Sequence, residues 1–259
     1  MRFHLMMLIL ALLGIASPSS LTQAAAQGTD RPFTVAAAAD LQFAFTEIGE
    51  RFEKRTGQKV TFSFGSTGNL ARQIENGAPF DLFAAANEQL VERLEEKGLL
   101  VPRTRQLYAI GRIVLASSKK AGAAVQDLKG LLDRRIKKVA IANPDHAPYG
   151  FAAREALMKA GVWEKLQPKL VLGENIRQTL QFIQTGNAEA GIVALSVADV
   201  SEITYRQIDA RMHSPLKQAL AILKGSPHEA TARRFIQFVN GPEGRPIMKK
   251  YGFLPPGKG

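Results

Sequence analysis

Strand-like runs and amphipathic helices alternate along this chain, and that alternation narrows its fold more than any other feature. A strand, a helix and a return strand form the repeating unit of parallel α/β sheets. FTVAAAAD (33–40) is a strand running into a turn. The helix behind it sets Leu41, Ala44, Phe45, Ile48 and Phe52 on one face before Gly57 stops it. KVTFSFG (59–65) is a second strand, followed by a short helix that Asn76-Gly77 closes. FDLFAAA (80–86) is a third, and Asn87 stands where the N-cap of the next helix belongs. GRIVLASS (111–118) reads as a strand and DLKGLLD (127–133) as a short helix. The pattern then restarts with KKVAIANP, a helix ending before Gly161, KLVLG, ENIRQTLQFIQTG and EAGIVALS, and two helices close the chain. Two similar runs without an internal repeat or low-complexity linker predict two lobes of one design. The long connections near 107–115 and 201–222 read as the crossings between them.

The first residues set the compartment. Arg2 is a short basic start, and LMMLILALLGIA (5–16) is an apolar run too short for a comfortable membrane span. Ala24-Ala25-Ala26 offers a small-residue cleavage site ahead of Gln27. Residues 1–26 are therefore expected to be a cleaved signal peptide, and the mature chain periplasmic. The sequence contains no Cys, so that site has no acceptor for a lipid anchor and the fold must rest on an apolar core. The formal charge of +11 is spread along helices; LDRRIKK (132–138) is the densest cluster and reads as a solvated helix end. Such a field favours anions in general, and no nucleic-acid partner is expected.

SFGSTGNLARQI (63–74) puts Ser66, Thr67 and Gly68 where a strand hands over to a helix. A phosphate-binding G-x-x-x-x-G-K-[ST] loop would need a Lys that this stretch lacks. GSTG is not G-x-S-x-G, and no His follows in a triad arrangement. His228-Glu229 opens like a zinc-binding H-E-x-x-H helix, but Ala232 takes the second ligand's place. His146 and His213 are isolated and read as loop or surface residues. No catalytic residue, cofactor or metal-cation ligand is expected, and the chain does not read as an enzyme. Ser and Thr are ordinary N-caps, so the motif alone fits a capped turn as well as an anion site. Recurrence favours the anion. AAAAD (36–40), NPDHAPYG (143–150) and LGENIR (172–177) also bring small or polar residues to helix starts, whose free N–H groups carry about half a positive charge. Four such termini from two lobes point to a cleft at strand carboxyl ends.

In these segments the chain resembles the periplasmic molybdate-binding proteins, receptors of molybdate ABC importers. The resemblance is carried by AAAADL, SFGSTGNLARQIENGAPFDLFAAAN, NPDHAPYG, GENIRQTL, EAGIVALS and YGF, with ARQIENGAPFDLF the most specific. It implies an α/β, two-lobed type II periplasmic binding protein, each lobe a sheet flanked by helices and the ligand cleft between lobes. Residues 32–110 with 215–259 form lobe 1 on this reading, and 111–214 form lobe 2. It further implies a monomer that binds molybdate or tungstate as an oxyanion, without cation ligands, for a permease in the membrane. Carried over residue by residue, the first-loop hydroxyl position falls on Asp40 and the second-loop contact on Thr67, with Ser66 beside it. The third falls on Tyr149, and the fourth on Ile176 through its backbone N–H. A Tyr that some members carry after GIV is Ala194 here, and Tyr149 is expected to fill its space. Asp40 and Ala194 keep open a second reading, a receptor for another oxyanion or a small organic anion.

Asp40 is the sharpest departure. A carboxylate facing a dianion a few ångströms away is repelled by roughly 4 kcal/mol per charge pair at an effective dielectric near 20. In one arrangement Asp40 turns away and caps the helix beginning at Leu41, and the strong patterning of that helix favours this expectation. In the other, the carboxylate accepts a proton-bearing oxygen of the ligand.

Overall fold

The computed structural model describes residues 31–122 and 124–257; the expected signal peptide and its cleavage site lie outside the described residues. The elements follow in the order β1 (Phe33–Ala38), α1 (Gln42–Thr56), β2 (Val60–Gly65), α2 (Thr67–Glu75), β3 (Leu82–Ala85), α3 (Glu88–Glu96), β4 (Gln106–Gly111) and β5 (Ile113–Ser118). Then come β6 (Val139–Ala142), α4 (Pro148–Lys159), α5 (Trp163–Leu166), β7 (Leu170–Gly173), α6 (Ile176–Gln184), β8 (Ala190–Ala194), β9 (Ile203–Gln207), β10 (Leu216–Ile222), α7 (Glu229–Asn240) and α8 (Gly244–Lys250).

These strands build two five-stranded sheets, ordered β2-β1-β3-β10-β4 and β7-β6-β8-β5-β9. In the first, β1 runs parallel to β2 and β3 while β10 is antiparallel to β3 and β4. In the second, β6 runs parallel to β7 and β8, and β5 is antiparallel to β8 and β9. Strands β3, β5, β6 and β8 are buried along their whole length, which explains why they read as continuous apolar runs rather than alternating ones. The two expected connections are themselves strands. Only Arg112 separates β4 from β5, and its guanidinium donates to the Gly252 carbonyl at 2.9 and 3.0 Å. The second crossing lies between β9 and β10.

Helix α1 buries Ala44, Phe45, Ile48 and Phe52 against the first sheet, the face its periodicity predicts. It ends where Gly57 adopts φ 71° and returns its N–H to the Glu53 carbonyl. Phe235 of α7 meets Phe52 at 5.3 Å and Phe45 at 5.8 Å, both edge to face, tying the C-terminal helices to the first sheet. Among the described residues no helix is long and apolar enough to cross a membrane. Asn87 is the N-cap of α3, but its side chain makes no capping hydrogen bond and its Oδ1 is buried without a partner, contrary to the sequence expectation. His213 lies in the loop before β10, one of the two placements expected, and is buried there with Nδ1 2.8 Å from the Ser214 carbonyl oxygen.

Candidate functional site

At the carboxyl ends of β1, β2, β6 and β7 the chain turns into helices, and those four corners meet. Asp40, Ser66, Thr67, Tyr149 and Ile176 line one cavity of about 10 Å³, together with Ala39, Gly65, Ala86, Pro148 and neighbouring small residues. The first sheet brings Asp40, Ser66 and Thr67; α4 and α6 bring Tyr149 and Ile176 from the second. Ala194, at the end of β8, is buried but does not line the cavity. Larger hollows exist, such as one of about 470 Å³ between α8 and the C-terminal segment. Its walls are mostly apolar, whereas the small cavity is the one on which the four strand-to-helix corners converge.

Each corner treats its helix start differently. At α6 the Asn175 side chain caps in the ordinary way, accepting from the N–H groups of Arg177 and Gln178 and not from that of Ile176. At α2 Ser66 holds the N-cap position, yet its hydroxyl makes no cap hydrogen bond and instead meets His146 Nδ1 at 2.9 Å. The Gly68 N–H donates to the His146 carbonyl at 2.9 Å. A Cβ on residue 68 would lie 2.7 Å from that oxygen, so only glycine permits this approach. Thr67 Oγ1 accepts from the Ala86 N–H at 3.1 Å, which leaves its own hydroxyl hydrogen to donate elsewhere.

Asp40 does not cap the helix after it. It lies in a 3-10 turn (Ala39–Leu41) leading into α1, and no side-chain capping bond is formed there. The carboxylate turns instead to two buried neutral groups. Oδ2 accepts from Gln218 Nε2 at 2.7 Å and from the Tyr149 hydroxyl at 2.9 Å. Gln218 Oε1 in turn accepts from the Tyr108 hydroxyl at 2.8 Å. The Ser196 hydroxyl holds the Asp40 carbonyl at 2.8 Å from the second sheet's side. Oδ1 is buried and accepts no hydrogen bond from another residue. Burial raises the Asp40 carboxyl from 3.8 to about 6, against the opposing pull of Gln218, Tyr149 and its own backbone N–H. Burial also lifts both phenols well above their usual value, with the Asp40 charge adding to it.

Gln218, Tyr108, His146 and Ser196 escape sequence reasoning. Gln218 carried one usable signal: a lone polar residue inside the apolar run LKQALAI, now fully buried on the strand between β3 and β4. The β10 to β4 register shifts between Gln218 and Ala219, and such irregularities re-aim side chains beside sites. Gly111 is equally specific, because a Cβ there would stand 2.2 Å from the Tyr149 hydroxyl.

Residues 33–254 match the family model described as bacterial extracellular solute-binding protein. The chain is 38% identical over 220 residues to the molybdate-binding protein ModA of Rhodobacter capsulatus, covering 85% of this chain and 86% of that one. It is also 38% identical over 258 residues to the ModA of Azotobacter vinelandii, covering 98% and 99%. The solved structure of an Azotobacter vinelandii periplasmic molybdate-binding protein superposes with a TM-score of 0.81 at 31% identity, over 87% of this chain and all of that one. The two helix-flanked sheets, the four convergent corners and these likenesses agree: the chain belongs to the bacterial extracellular solute-binding protein family, alongside the relatives called molybdate-binding proteins.

Proposed function

We propose that this chain captures molybdate, and tungstate with it, in the periplasm and delivers it as a monomer to the permease of an ABC importer. The observation that carries this reading is the cavity itself. Helix starts and neutral hydroxyls from both sheets converge on it, and none of the residues lining it is Lys, Arg or His. A dianion held by about six such hydrogen bonds, at roughly 1.5–3 kcal/mol each, has enough gross interaction to offset its dehydration. The absence of an ion pair leaves release fast. The names of the relatives supply the identity of the anion. On this reading residues 1–26 are removed on export, residues 32–110 with 215–259 move against 111–214, and the chain binds rather than catalyses. A cavity of about 10 Å³ accommodates about one water, so the two walls must part to admit a tetrahedral oxyanion.

Calorimetry should therefore show molybdate and tungstate binding at least ~100-fold more tightly than sulfate or phosphate, a difference of about 2.7 kcal/mol. Equal affinity for sulfate would remove the molybdate assignment. It would leave the second reading, a receptor for another oxyanion or small organic anion, which the carboxylate of Asp40 in the cavity wall favours.

A further inference from the structure

Building on that function, we propose that capture of the oxyanion takes up one proton from solvent, held between Asp40 Oδ1 and an oxygen of the bound anion. The geometry leaves that oxygen for the purpose. Oδ2 is already occupied by Gln218 and Tyr149, while Oδ1 is buried in the cavity wall and accepts from no other residue. An ionised carboxylate and a dianion in contact would put three negative charges in a space that no cation lines. Adding one proton turns this clash into a hydrogen bond. The proton crosses from solvent and no other bond forms or breaks; carboxylate plus dianion plus proton becomes one hydrogen-bonded pair of net charge −2.

No other titratable group packed around Asp40 is better placed to take that proton. The Tyr149 and Tyr108 phenols are pushed further from ionisation by burial. Strand β2 and the 195–197 turn that carries Ser196 bring no titratable side chain. On α6, Arg177 stacks 4.5 Å from the Phe43 ring. Glu47 on α1 is engaged by Arg51 and Lys250, and Arg154 on α4 lies over Phe151. Arg112 is spent on the Gly252 carbonyl, and Lys217, beside Gln218, is exposed. His146 stands at the rim, bonded to Ser66, and is the one rival that the experiment must separate. The carboxyl of Asp40, already lifted to about 6 by burial, is mostly ionised at neutral pH in the free receptor, so the proton is taken up from solvent as the anion binds.

The test is molybdate calorimetry on the mature chain in buffers of differing ionisation heat, repeated at several pH values above about 7. About one proton should be taken up per anion, and affinity should fall about tenfold per pH unit. Asp40→Asn, whose amide can donate in place of the carboxylic hydroxyl, should bind molybdate with no proton uptake and a flat pH profile. Wild-type binding without proton uptake overturns the proposal, as does an Asp40→Asn variant that retains the uptake, which would assign it to His146. No molybdate binding at all by the wild-type chain would overturn the proposed function and this inference with it. The wild-type proton count stands whether or not the variant folds.

Discussion

Two carboxylates are buried in the first sheet, at opposite ends of its parallel strands, and they are handled in opposite ways. Asp81, just before β3, accepts two hydrogen bonds from the Arg31 guanidinium at 2.5 and 2.8 Å, one from the Thr34 N–H at 2.8 Å and one from the Ser226 hydroxyl at 2.6 Å. Both its oxygens are satisfied, and the charge is paired. Asp40, just after β1, has only uncharged donors on one oxygen and none from other residues on the second. The amino end of the sheet thus uses a carboxylate as a staple for the entry of β1. The carboxyl end keeps one unfinished, where open α/β sheets bind their ligands. A buried polar group left unpartnered costs free energy, so it persists where something else requires it.

The largest effect should come from breaking the staple. Asp81→Ala strands the Arg31 guanidinium, the Thr34 N–H and the Ser226 hydroxyl at once. A loss of about 3 kcal/mol is expected, near the low end for a broken buried pair because Arg31 is a third exposed. Urea denaturation measures it, and the folded fraction should bind molybdate as before. A loss under about 1 kcal/mol would mean that the contrast between the two carboxylates is one of geometry and not of energy.

Asp40 should respond in the other direction. Its folded value, raised to about 6 from 3.8, means that its contribution to stability is fully present below about pH 4 and is lost as pH rises through about 6. Near neutral pH the ionised side chain therefore destabilises the free protein. Asp40→Asn removes that cost of about 3 kcal/mol but buries an amide N–H₂ in its place. A net stabilisation of about 2 kcal/mol at pH 7 is expected, shrinking as pH falls through about 6 and reversing to a loss of about 1 kcal/mol by about pH 4. Thermal denaturation of both proteins across that range checks the sign; a variant less stable than wild type at pH 7 would show that Asp40 is an ordinary structural carboxylate.

The difference between the two ends also marks what the sequence made legible. Apolar periodicity located α1 because one face of it is buried, and continuous apolar runs located the buried strands because their burial is uniform along each element. The same method passed over β9 as a strand: only Ile203 of its five residues is buried, so the edge strand carries no pattern to read. At the site, the small residues at helix starts were readable because loop chemistry is local. Asp40 was misassigned as an N-cap, since capping can be judged from neighbours in sequence, whereas its real partners lie 109 and 178 residues away. Gln218 and Tyr108 act on Asp40 only through the crossing strands that bring β10 beside β4. The predicted Asn87 cap failed for a related reason: the residue occupies the cap position with extended backbone, yet its side chain is not turned onto the helix. Local rules found the place, and long-range packing decided the chemistry.

The smallest effect should distinguish donors that touch the anion from those that hold the walls together. Ser66 and Thr67 are neighbours with similar hydroxyls, but their geometry differs. Thr67 Oγ1 accepts from the Ala86 N–H within its own sheet, while Ser66 Oγ reaches across to His146 Nδ1 on the loop before α4. If Ser66 serves to join the walls, Ser66→Ala removes one neutral hydrogen bond, worth about 1 kcal/mol. Molybdate affinity should then fall about fivefold, most of it through faster release, since closing contacts act after encounter. Stopped-flow release and equilibrium titration together measure both quantities. A loss beyond about 100-fold would instead make the Ser66 hydroxyl a direct donor to the anion, because a bond to a charged partner is the stronger kind. The His146 contact would then belong only to the closed walls, and the neutral side of the comparison would include one more ligand-facing group than Thr67 and Asp40.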